Sequence, residues 1–170
     1  MSNSTKRLTT CSLMTAVGVV LMVLGSMLGI ATYAMPMIVG LALIPLGKRY
    51  GIKYHLTVFA ATALLSLLLV SDVEQSLLFL AFLGWYPALR PGLQRIQPKI
   101  LRVLVKLITF NVPVVLMEWI LMTLLVPESM DAWFLWILLI LGNITFIVYD
   151  VAMPKFEFIM EHYMGRILGK

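Results

Sequence analysis

The sequence predicts an all-α integral membrane protein: a single bundle of six transmembrane helices with both termini cytoplasmic. Three observations lead there. Of 170 residues, 61% are hydrophobic and only 12% charged, against roughly half and a quarter in soluble domains. Runs such as Leu13 to Leu24 and Trp133 to Leu141 are apolar on every face, whereas the strands of a transmembrane barrel alternate apolar and polar residues over about ten positions. The third observation is where the charges fall between the runs.

Hydropathy places spans at about 11–32, 34–47, 53–70, 75–90, 104–126 and 132–154. The second is short, with Pro36 and Pro45 near its ends, while crossing a hydrocarbon core of about 30 Å takes about twenty residues. If it crosses nonetheless, all thirteen Lys and Arg lie on one side, and the other side holds Asp72, Glu74, Glu128 and Asp131 with no basic residue. The positive-inside rule reads this as six spans in the cell membrane with cytoplasmic ends. Five spans is the runner-up and leaves only Lys6 and Arg7 on the wrong side. Lys6-Arg7 ahead of an apolar run also has the outline of a secretory signal, but the run exceeds the roughly 7 to 15 residues of a signal's apolar region. It is expected to remain as the first span.

Composition also excludes function classes. The net charge of +5 comes from basic residues flanking apolar runs, which is a topological pattern and does not suggest a nucleic-acid surface. The single cysteine, Cys11, has no histidine or acid beside it, and His55 has no second histidine near it, so neither a metal nor another cofactor is expected. There is no Gly-rich phosphate loop, no His-Glu-x-x-His, and no serine, histidine and acid grouping, so no enzyme is expected.

Taken in order, span one carries Ser12 and Ala16 four apart, then Gly18, a spacing that lines small residues along a face open to a partner helix. Gly25-x-x-x-Gly29 is read as internal packing. In span three, Thr57, Thr62 and Ser66 bond back to their own helix on the simplest reading, and His55 beside Lys53 reads as an interfacial anchor. Span four closes with Gly84-Trp85-Tyr86-Pro87, whose rings suit a headgroup belt. Lys99, Arg102 and Lys106, set among Ile100, Leu101, Val103 and Leu104, form a segment that can lie on the membrane surface against anionic lipid.

Spans five and six hold the polar residues that matter most. Asn111 and Glu118 are seven apart, and so are Asn143 and Asp150, hence each pair shares a helix face. Counting inward from Lys106 and Lys155 sets Asn111 level with Asp150, and Glu118 level with Asn143. The Asn111–Asp150 layer is expected to be structural, because Arg90 and Lys106 lie near its level. Glu118 has no basic residue on its half of the protein. An acid inside an apolar span is a functional-site hypothesis by default; Asn143, Trp119, water, a ligand or a proton would satisfy it.

Six short spans, a basic amino terminus, small residues at four-residue spacing on helix one and a short second span together resemble the substrate-binding S components of energy-coupling-factor transporters. In that family an Ala-x-x-x-Ala arrangement on helix one docks to a transmembrane coupling subunit. Here Ser12 precedes Ala16 by four and Val20 follows it by four, a partial match. The resemblance implies capture of a micronutrient from outside, with two ATPases driving release. It implies a pocket in the outer half, where Glu118, Asn143, Trp119, Met122 and Ser66 are the candidate lining. The lack of basic residues outside points to a neutral or cationic small molecule. The alternative is a non-transporting scaffold or accessory subunit of a cell-envelope complex.

Overall fold

A computed structural model describes residues 3–29, 32–124 and 132–167, and they contain no strand. Glu128, Asp131 and Lys170 of the charge pattern lie outside the described residues. The order is α1 (Asn3–Leu28), α2 (Ala34–Ala42), α3 (Ile44–Tyr50), α4 (Ile52–Leu69), α5 (Val73–Leu78), a π-helical turn (Phe79–Leu83), α6 (Tyr86–Leu93), α7 (Lys99–Leu124) and α8 (Ala132–Ile167). Four stretches, Ser4–Leu28, Ile52–Leu69, Lys99–Thr123 and Leu139–Ile159, are long and apolar enough to cross a membrane. Only 17–28% of each apolar window is buried within the chain, so most of that surface calls for a hydrocarbon surround.

The remaining two stretches are helical but broken. Residues 34–50 are interrupted at Leu43, where Pro45 lacks the N–H that would continue the ladder. At 1.5 Å per residue they reach about 25 Å, less than a full core of about 30 Å. Residues 73–93 pass from α5 through the π turn, closed by Gly84 N–H donating to the Phe79 carbonyl at 3.0 Å, into α6. A side chain at Gly18 would meet both Val39 and Thr62, one at Gly25 would meet Met35, and Arg7 lies over the Tyr54 ring. α2 therefore runs antiparallel to α1, and α4 parallel to it. Gly29, with φ of +64°, ends α1 in the left-handed conformation that glycine adopts without strain.

Breaks free backbone carbonyls, and side chains from other helices take them. Pro87 leaves the Leu83 carbonyl without its helical donor, and Tyr149 Oη donates to it at 2.8 Å. Ala88 N–H turns to Trp85, and the Gly84 carbonyl faces His55 Nε2 at 3.0 Å. His55 Nδ1 lies 3.1 Å from the Leu43 carbonyl, so one imidazole joins the breaks in both interrupted stretches. His55 is 1% exposed; the interfacial-anchor reading fails because the ring is buried between two backbone carbonyls, that of Gly84 freed by the break and that of Leu43 shared with the Gly47 N–H. Pro154 frees the Asp150 carbonyl, and Arg90 Nη2 donates to it at 3.1 Å.

The core gathers where the π turn meets α7 and α8. Phe82, fully buried, packs edge-on against Phe110 and Phe146, which stack on each other with centroids 4.9 Å apart. Tyr86 is also fully buried and donates to Asp150, which removes it from the headgroup belt expected of it. Residues 99–106 are the opening turns of α7 itself, in place of a separate surface segment.

Candidate functional site

The face of α7 that repeats every four residues, Phe110, Val114, Glu118 and Met122, points toward α8 and the π turn. Two adjoining cavities lie along it. One, of about 270 Å³, is bounded by Tyr33, Leu83, Phe110, Glu118, Thr145 and Phe146 among others. The second, of about 190 Å³, shares Phe110, Val114, Glu118 and Gly142 with the first and adds Trp119, Met122 and Leu139. Together they fall in the size range of small-molecule sites, roughly 300–1,000 Å³, which combine apolar walls with a few polar groups.

Among the described residues Glu118 is the only charged side chain lining either cavity. Among the described residues no donor within hydrogen-bonding distance reaches its carboxylate. Trp119, 65% exposed, forms an edge, and Met122 part of the wall. At the other edge stands Tyr33 from the loop after α1, whose hydroxyl donates to Glu74 Oε1 at 2.5 Å. Burial and the Glu74 carboxylate push the Tyr33 phenol above the usual tyrosine range, so it keeps the proton it donates. Beside it Thr32 Oγ1 donates to Asp72 Oδ2 at 2.8 Å, while Asp72 Oδ1 caps α5 through the Gln75 N–H at 3.1 Å. The loop after α1 is thereby tied to the start of α5.

Asn143 is not part of this lining. Its side chain and that of Asn111 form a reciprocal pair, 2.9 and 3.0 Å, and each also donates to its own helix, to the Leu139 and Leu107 carbonyls. The expected layers are therefore wrong in register: Asn111 faces Asn143, and Lys106 faces Asp150. The cause is that α8 continues through Pro154 to Ile167, so Lys155 does not mark a helix end from which levels can be counted. Asn111 and Asp150 belong to different layers, though both are internally satisfied.

Asp150 accepts from Tyr86 Oη at 2.8 Å, Arg90 Nε at 2.9 Å and Lys106 Nζ at 2.6 Å. Two cations and one carboxylate leave a net charge of +1 in a group whose side chains are 11–19% exposed. Ser66 is likewise removed from the site. It is fully buried between α4 and α5, donates to Ala63 at 3.0 Å, and its carbonyl accepts from Ser76. On α1, Ser12 and Ala16 are exposed and border a groove against α4. Gly18 is buried, because Thr62 and Val39 would sit 3.2 Å from any Cβ there. It serves internal packing and not an outer face.

Tyr33, Thr145, Gly142 and the Phe110–Phe146 pair were not anticipated. The four-residue period from Phe110 to Met122 was a signal for one wall; nothing in the sequence signalled that the loop after α1 folds over it.

The fold and the outward apolar surface define a helical-bundle membrane protein. No family model, curated protein or solved structure matches the chain.

Proposed function

We propose that this chain is a membrane-embedded capture subunit for uptake of a small neutral or cationic micronutrient, working with a separate coupling subunit and ATPases. The observation that carries the reading is Glu118: a carboxylate in an apolar helix, facing a cavity and lacking a donor among the described residues. A purely structural acid would resemble Asp150, which is surrounded by donors. The resemblance to S components described above supplies the partners, and the exposed small residues Ser12 and Ala16 are the surface proposed to meet a coupling subunit.

Six spans with cytoplasmic termini are part of the same proposal. Support comes from the alternating directions of α1, the 34–50 stretch and α4. The sorting of charge agrees: Arg7 stacks near Tyr50 and Tyr54, and Lys48 pairs with Glu157 at one end, while Asp72 and Glu74 hold the loop at the other.

The test is a thermal-stability screen of the purified protein against vitamins and amines. At a ligand concentration roughly 100-fold above Kd, binding adds about 2.7 kcal/mol, or on the order of 5 °C for a chain of this size. The rise is expected for a specific compound and is expected to vanish in Glu118→Gln. If no compound moves the transition and the protein instead copurifies with envelope enzymes and no ATPase, the scaffold reading replaces this one.

A further inference from the structure

We propose that the ligand of the Glu118 cavity is an amphipathic organic cation, a protonated amine on an apolar frame; this narrows the capture reading above and rests on it. The inventory of side-chain hydrogen-bonding groups around the larger cavity points one way. Tyr33 commits its only proton to Glu74, and Thr145 commits its only proton to the Leu141 carbonyl at 2.9 Å. What both offer to a ligand is oxygen lone pairs, and the Glu118 carboxylate offers the same.

Among the described residues no Lys, Arg or His lines either cavity. A carboxylate or phosphate ligand would thus be desolvated beside the like charge of Glu118 with no cation to balance it, and the Trp119 indole N–H would be the one neutral side-chain donor to receive it among the described lining. A neutral alcohol supplies one donor but no charge, so the acid beside it still needs a proton to be neutral. An ammonium brings up to three N–H donors and the balancing charge. The Tyr33, Phe110 and Phe146 rings add faces that attract cations.

The smaller cavity defines the rest of the molecule. Apart from Glu118 and the Trp119 indole N–H, the described lining is apolar, with Met122 and Leu139 among it. The charged end is thereby placed toward Tyr33 and Thr145, and the apolar frame toward Trp119 and Met122.

The experiment uses three matched probes on the purified full chain in detergent: phenethylamine, phenethyl alcohol and hydrocinnamate. Apparent Kd values come from concentration-dependent thermal shifts. Expected is binding of the amine at least tenfold tighter than of the alcohol, with no shift by the carboxylate. The amine shift is expected to be lost in Glu118→Gln and in Gly142→Leu. Gly142 borders both cavities and a Cβ there would make ordinary contact with Phe110 at 3.5 Å, so the leucine fills the void without altering the acid.

Equal shifts by amine and alcohol, or a shift by the carboxylate alone, would overturn the cation inference and leave capture standing. So would a vitamin-screen hit that bears no positive charge and needs Glu118. Silence of all three probes together with the whole vitamin and amine screen would overturn both. If Glu118→Gln melts early without ligand, Gly142→Leu alone carries the comparison: retention of the amine shift there places binding elsewhere and overturns the proposal.

Discussion

Asp150→Asn is expected to destabilise the protein by roughly 3–5 kcal/mol, the cost of breaking a buried ion pair so that charge is left behind, or on the order of 10 °C in melting temperature for a chain of this length. Arg90 and Lys106 would remain at 12% and 11% exposure with no anion between them. The Tyr86 hydroxyl and the Arg90 Nε would lose a charged acceptor at the same time. Lys106→Met is expected to be much milder, because it converts a group of net charge +1 into a neutral Arg90–Asp150 pair. Thermal unfolding in detergent checks both; equal effects of the two substitutions would show that charge balance is not what holds this group together.

Gly40→Ala separates two opposed effects by sign. Alanine in a helix interior is favoured over glycine by about 1 kcal/mol, so a roomy site would gain stability. In α2, however, the added methyl would fall on the Leu83 carbonyl oxygen and the Tyr149 hydroxyl. Overpacking costs roughly 1–3 kcal/mol, and displacing the Tyr149–Leu83 hydrogen bond about 1 kcal/mol more. A net loss of about 2 kcal/mol is expected, read as a fall of several degrees in the melting transition. A rise would mean that the 34–50 stretch does not pack against the freed carbonyl as described.

The class of protein and the long helices were legible because hydrocarbon imposes one requirement on every residue facing it, and runs such as Leu13 to Leu24 meet it visibly. The weakness of the second span was legible too, from Pro36 and Pro45. The partners of buried polar groups were not. Tyr149, Arg90 and the Nε2 of His55 meet carbonyls left free where the chain breaks at Gly84 or where Pro87 and Pro154 remove donors, and His55 Nδ1 shares the Leu43 carbonyl with the Gly47 N–H. Tertiary packing decides such pairs, and spacing along the chain does not reveal them.

Register between α7 and α8 was illegible for a related reason. A sequence marks where charge begins, and Lys155 was such a mark, but the helix ignores it and runs on to Ile167. Counting from Lys155 therefore pairs Asn143 with Glu118, whereas its side chain bonds to Asn111. Glu118 itself was legible as an isolated acid in an apolar run, and the displacement of Asn143 makes it more isolated: the described residues that share its larger cavity are Tyr33, Thr145, Gly142, two phenylalanines and aliphatic side chains.

Native mass spectrometry, run on wild-type protein and Glu118→Gln after incubation with the best-stabilising compound, tests small-molecule capture at Glu118 most directly. Expected is a one-to-one complex on the wild-type chain that is absent from the variant, with both proteins folded. The same complex on both, or on neither, would contradict capture at Glu118.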